Sequence, residues 1–537
     1  MNGAIIKAYR KPEKNRLGRK EQNMMKRSIL TSVFLSLLAL TLLLSACGDK
    51  EISPPPDATQ PSDVTTAGGD PGTGDVPDIP IMDFDGSEVV FLTRNSECGD
   101  FETWDLLETD LQGDSMNAAI VRRNSYIQDT YDVSIVQRQY GGSVNEGEMY
   151  TAIYNNFFNG GAAAEDAFHV AYCGVTDAIR LAASGIFYDL SELPYIDLAS
   201  SWWDAEAMSS LTIANRYYFG VGDISVQLYD TLPCLVFNKM MAQDYTTPDE
   251  LYRMVEEGNW TYEEFYSIIR EVYSDADDVA GPSVGDRFGA GGQNDNLYCF
   301  FYGSGCRTVT TNQNGDPELT IYSEQNNTVF TDLFELLTDR EAFFNCNDYA
   351  NVPGWESSPI EFVIDGFIGG RVLFYSDGLL HLPELREASF EFGILPVPKY
   401  TAGQESYYHL IGMWGATLVT VPAGCPDVKM TALLLEAMGA QSEKTVATEY
   451  FEQKLALQSV RDSESAGSLG IIIDTKGFDM GQCFRWNDLH LILGDCLTQK
   501  NNSFYSNYQG KVSGIQIEMN KTISAYQSLP HYIELED

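Results

Sequence analysis

YYFGVGDISVQLYDTLPCLVFNK, residues 217–239, reads as a passage between two halves of the chain. A strand-like run over 217–221 ends at Gly222 and Asp223. A polar passage follows over 224–230, and a second apolar run over 234–237 leads into a helical pattern from Asn238. Parallel neighbours in one sheet need a crossover of a dozen or more residues, usually a helix. No helix fits between these two runs, so the chain is expected to leave one domain here and enter another.

Upstream, apolar runs over 88–93, 133–140 and 167–172 read as strands. Periodic segments over 115–131, 146–158 and 176–184 read as helices, the last stopped by Gly185. Strand and helix alternate throughout, the pattern of an α/β lobe with a mostly parallel sheet flanked by helices. Downstream, Thr261 and Glu264 form a capping box for a helix over 262–273, with Phe265, Ile268, Ile269 and Val272 on one face. Asn314-Gly315 between alternating runs predicts a hairpin over 308–322, and amphipathic helices follow over 327–338 and 512–526.

A length of 537 residues exceeds what one core usually supports, so two domains are expected. Lys26-Arg27, the apolar run 29–44 and Leu44-Ser45-Ala46-Cys47 lay out a charged n-region, an h-region and a small-residue cleavage site. The last four residues resemble the bacterial lipobox, which makes residues 1–46 a lipoprotein-type signal peptide and Cys47 the lipidated residue. The rival reading, a transmembrane anchor, meets a run that is short and broken by Thr31, Ser32, Ser36 and Thr41. Residues 47–85, rich in Pro, Gly, Asp and Thr, are too poor in apolar side chains to pack and read as a disordered tether. From Cys47 onward 25 basic residues face 75 acidic ones, a balance that repels nucleic acid and anionic headgroups. Spacings such as Cys299/Cys306 and Cys483/Cys496 permit disulfides without demanding them. There is no CxxC pair, the five histidines are scattered, and the acidic run 275–278 lacks the glycine and bidentate glutamate of an EF-hand. No metal and no cofactor are expected, and 275–278 reads as a solvated loop.

The run Trp202-Trp203-Asp204, then Tyr217-Tyr218-Phe219, Gly222-Asp223-Ile224-Ser225, Phe237-Asn238-Lys239 and Glu257-Gly258-Asn259-Trp260-Thr261, resembles the carbohydrate-type extracellular solute-binding lipoproteins of bacterial ABC importers. Phe367-x-x-Gly370-Arg371-Val372-Leu373-Phe374, FGILPVPK at 392–399 and Arg461-Asp462-Ser463-Glu464-Ser465 extend the resemblance in order. It implies a two-lobed, periplasmic-binding-protein-like (type II) α/β fold whose lobes are joined by crossover strands. Lobe 1 would take 86–222 plus 377–415, and lobe 2 would take 230–374 plus 419–537. Crossings would fall at 222–232, near 367–374 and at 414–421. The resemblance further implies a monomeric receptor, outside the cytoplasm on a lipid anchor, that captures a carbohydrate between its lobes and delivers it to ABC permease subunits without catalysis. The same fold with a peptide or another small solute is the alternative, ahead of a cell-surface adhesin or a glycoside hydrolase. With 75 acids a carboxylate pair is uninformative, and HExxH and GxxxxGK[ST] do not occur.

Ligands of open α/β sheets sit beyond the carboxyl ends of the strands. That rule selects Arg94 and Asn95 after the first strand and Tyr172 after the third. The crossings add Asp223, Tyr229, Asp377 and Trp414. Sugars need flat aromatic faces and paired polar groups. Asp223 and Asp377 could accept two hydroxyls or merely cap turns. Arg94 could fork to a ligand or pair within an acidic protein, and Tyr172 and Tyr229 could stack on a ring or line the core. Trp414 lies between Gly412 and Gly415, which would let a ligand approach closely. Trp202, Trp203, Trp260 and Arg485 fit packing roles better.

Overall fold

A computed structural model describes residues 79–532 except 278, 350–351, 353–358 and 457–462. The expected signal peptide, Cys47, the tether as far as 78, Trp355, Arg461 and Asp462 lie outside the described residues. In chain order the strands are β1 (Ser87–Arg94), β2 (Val133–Tyr140), β3 (Val170–Gly174), β4 (Pro233–Asn238), β5 (Phe288–Gly292), β6 (Val309–Thr311) and β7 (Pro317–Leu319). They continue with β8 (Phe343–Asn345), β9 (Val372–Gly378), β10 (Phe392–Leu395), β11 (His409–Leu410), β12 (Thr417–Thr420) and β13 (Lys476–Gly477).

Two sheets organise the molecule. The first has the order β12-β3-β1-β2 and the second the order β10-β4-β9-β5-β8. In the first, β1 runs parallel to β2 and β3, and in the second β5 runs parallel to β8 and β9. The antiparallel pairs are β12 on β3, β4 on β9 and β10 on β4. β12 is reached from β10 of the second sheet with no α-helix between them, so it is free to run against its neighbour. The helices lie on the faces, and Val89 to Leu92 of β1 and all of β4 are buried, the mark of strands covered on both sides.

At the passage between the halves, residues 217–221 form no regular strand: Gly220 makes an isolated bridge to Val419, and Gly222 just after them one to Trp203. The polar stretch is a 3-10 turn, Val226–Thr231, that runs straight into β4. The strand pairing then departs from the expected boundaries. The chain does not return to the first sheet near Phe374: β9 lies at the centre of the second sheet and β10 at its edge. An unbroken apolar run such as VLFYS says that a strand is buried, not in which sheet. The return comes at β12. Helices Val428–Ser442 and Thr448–Ala456 then pack on helix Asp114–Tyr131 of the first sheet, where Trp203 Nε1 donates to Glu436 at 2.8 Å. Residues 428–456 therefore cover the first sheet, although the expected lobe 2 included them.

Local signals locate most other elements. Thr261 caps helix Tyr262–Arg270 by accepting from Glu264 N, and Gly315 (φ 79°) turns the β6–β7 hairpin. The nine cysteines of the described residues are free thiols, so neither suggested pair forms.

Candidate functional site: the cleft between the sheets

The strand-end rule works at different positions from those first selected. Arg94 is 2% exposed and donates to Gly415 O at 2.8 Å and Ala416 O at 2.7 Å. Burial lowers its pKa to about 10. It ties β1 to the segment entering β12 and has no face toward a ligand. Tyr172 is also core: its hydroxyl donates to Ile224 O at 3.0 Å and its ring meets Phe91 edge-on at 5.9 Å. Asn95 caps the turn Ser96–Phe101 by accepting from Glu97 N at 2.9 Å. Asp223 and Tyr229 find each other, hydroxyl to carboxylate at 2.8 Å. Lys476 lies 5.1 Å over the Tyr229 ring and forms an ion pair with Asp204. Burial raises Asp223 to about 6. These four residues brace the first crossing.

Asp377 and Trp414 lead to the cleft. Asp377, at the end of β9, accepts from Gln293 Nε2 at 3.1 Å and from Gly378 N at 2.7 Å, and burial raises its pKa. Asp295 follows the end of β5. It is exposed to water, yet desolvation, with the charge of Asp377 second, raises it to about 6. Asp295 and Asp377 thus lie at or just after the ends of neighbouring strands of the second sheet, close enough for the charge of one to raise the other. Beside Asp377, His381 reaches across to the first sheet's side. Burial alone would lower its pKa, but the hydrogen bond to Glu384 (3.0 Å) and the charges of Asp377, Glu384 and Asp100 bring the net shift upward.

The rest of the wall comes from the last crossing and the late helices. Trp414 is 54% exposed, and the Arg485 guanidinium lies 5.1 Å over its ring. Gly415 lets the crossing pass close to Phe101, whose ring would lie 2.4 Å from a Cβ there. Tyr298 donates to His490 O and accepts from Gly494 N at 2.9 Å, which joins the Asp295 floor to the segment carrying Arg485. The candidate site thus groups two pairs, the carboxylates Asp295 and Asp377 and the stacked Trp414 and Arg485. It can hold a ring against the indole and accept hydroxyl protons at the floor.

Trp202, Trp203 and Trp260 are buried, and Trp260 Nε1 donates to Pro396 O at 3.0 Å, as packing roles require. Asp275, Asp277 and Asp286 place oxygens within 4.8 Å of one another, but Asp286 already accepts from Ala276 N and Ser283 N and Asp277 from Val279 N. Those bonds fold the loop itself. A crevice of about 370 Å³ beside helix Asp114–Tyr131, lined by Leu107, Glu108, Val121, Asn124, Ser125 and Gln128, offers no aromatic face and is a weaker candidate than the cleft. Sequence reasoning missed Asp295 and His381. Reading Gly289-Ala-Gly-Gly292 as the end of a strand would have selected Asp295.

No protein-family model and no curated protein sequence matches this chain. Solved structures do. A cyclo/maltodextrin-binding protein complexed with maltotetraose superposes with a TM-score of 0.53 at 11% identity, over 80% of this chain and 97% of that one. An ABC substrate-binding protein from Listeria monocytogenes in complex with cycloalternan gives 0.50 at 13% identity, over 82% and 100%. At such identities the likeness is one of fold, and in fold this chain is a two-lobed α/β protein of the periplasmic-binding-protein type.

Proposed function

We propose that the protein is a receptor that captures a carbohydrate in the cleft between its two sheets and delivers it to the permease of an ABC importer. The observation that carries this reading is Trp414. A half-exposed indole on a glycine-flanked crossing, under the Arg485 guanidinium, suits the C–H face of a sugar. The superposed proteins hold maltotetraose and cycloalternan, which supports the same class of ligand here. The signal-like residues 1–46, Cys47 and the tether 47–85 support a lipid-anchored, extracytoplasmic receptor. No described helix is long and apolar enough to cross a membrane. A ligand that touches both walls favours the closed arrangement by its differential contacts, and the permease reads that arrangement. Asp377 and Trp414 contact the ligand. Arg94, Asn95, Tyr172, Asp223 and Tyr229 shape the frame that holds them. The receptor performs no reaction and uses no cofactor.

A ligand bound only by the folded state raises the melting temperature. Thermal-shift measurements against mono- and oligosaccharides, amino acids and short peptides test the reading. Shifts given by saccharides, which are then recovered intact, support it. Shifts confined to peptides replace the ligand class, and turnover of the sugar sinks the receptor role.

A further inference from the structure

Arg485 takes an unusual backbone conformation and has no oxygen acceptor among the described residues. It follows helix Met480–Phe484 in the left-handed conformation (φ 55°, ψ 28°), and Asn487 and Asp488 are left-handed too, at φ 44° and 58°. Asn and Asp take this conformation readily, whereas an arginine there is uncommon. Its Nη2 meets only the Met413 sulfur, a weak acceptor at 3.8 Å, and its Nε is closed off from water with no acceptor. His490, whose pKa the Arg485 charge helps to lower after burial, also has a closed-off Nδ1 without a partner.

The acids that Arg485 does feel are otherwise engaged. Glu146 pairs with Arg180, and Asp177 accepts from Glu146 N through both oxygens, at 2.7 and 2.9 Å. Among the described residues no carboxylate stands at ion-pair distance from Arg485. In a chain with 77 acids and 34 bases a partner would have been easy to supply. A guanidinium fork stacked on an open indole and left without an oxygen acceptor is complementary to a planar anion beside a ring. On the floor, Asp295 and Asp377 would repel such an anion, so it can occupy only the Arg485 end.

We propose that the saccharide held in this cleft is acidic, and that the fork of Arg485, above Trp414, receives its carboxylate, as on a uronic acid. This rests on the receptor reading above and adds the charge of the ligand to it.

Calorimetric titration of the full chain with paired saccharides decides it: galacturonate, glucuronate and mannuronate oligomers, each beside its neutral counterpart of equal length. For at least one pair the acidic member is expected to bind tenfold or more tightly, with the preference shrinking as salt rises. Arg485→Gln should abolish the preference, weakening the acidic member tenfold or more and the neutral member much less. Arg485→Lys, which keeps the charge without the fork, should fall between. Melting of the unliganded variants controls for folding, and the lysine variant decides if the glutamine variant is unfolded. Neutral members binding as tightly as acidic ones in every pair, or Arg485→Gln weakening both alike, would overturn the inference and leave the receptor standing. Binding of no saccharide at all would remove the receptor reading as well.

Discussion

At Arg94 and Asp295 two charged residues at strand ends take opposite roles. Arg94 spends its fork on the carbonyls of Gly415 and Ala416. Replacing it with lysine keeps the charge and loses the paired geometry, so Arg94→Lys should cost about 2–3 kcal/mol in urea unfolding, with the ligand dissociation constant of the folded protein within about twofold of wild type. Asp295 accepts no hydrogen bond from a described side chain, and its folded pKa of about 6 lies above the ordinary 3.8. The folded state therefore holds the proton more tightly. The stability from this group is complete below about pH 4 and is lost as pH rises through about 6. Asp295→Asn should raise the melting temperature by a few degrees at pH 7 and leave it unchanged at pH 3.5, while weakening the ligand. A variant no more stable at pH 7 than wild type would show that the carboxylate is not desolvated.

Strand β5 shows an element whose sequence hides it. Phe288-Gly-Ala-Gly-Gly292 has little of the branched or aromatic character of strands, and its glycines read as a loop. They are needed because helix Tyr262–Arg270 lies directly on the strand: a Cβ on Gly289 would stand 2.2 Å from Ile269 O. Gly289→Ala should accordingly destabilise by about 2 kcal/mol or more in chemical denaturation, and a neutral result would mean that the helix can move away. Where side-chain pattern governed the outcome, the elements were legible. Helix Asp114–Tyr131, β2 and the capped helix after Thr261 lie within a few residues of their expected bounds. Where the outcome depended on long-range pairing it was not. No local feature of β9 distinguishes the second sheet from the first, so the expected return near Phe374 went to β12. Asp377 and Trp414, selected from a strand end and flanking glycines, remain in the proposed site. For Arg485 helix packing is the preferred reading over a place at the cleft, because a left-handed arginine carries no signal in the sequence.

For the whole molecule, the passage at 217–239 leads from the first sheet into the second, and the walls of the proposed cleft come from segments scattered over 293–490. Ligand binding should therefore register on both walls together. Hydrogen–deuterium exchange of the full chain, with and without the saccharide that gives the largest thermal shift, reads this directly. The account predicts slowed exchange on the floor at 293–299 and 377–381 and, on the facing wall, at 412–416 and 485–490. Protection confined to one wall, or centred elsewhere such as the crevice at 107–128, would contradict it.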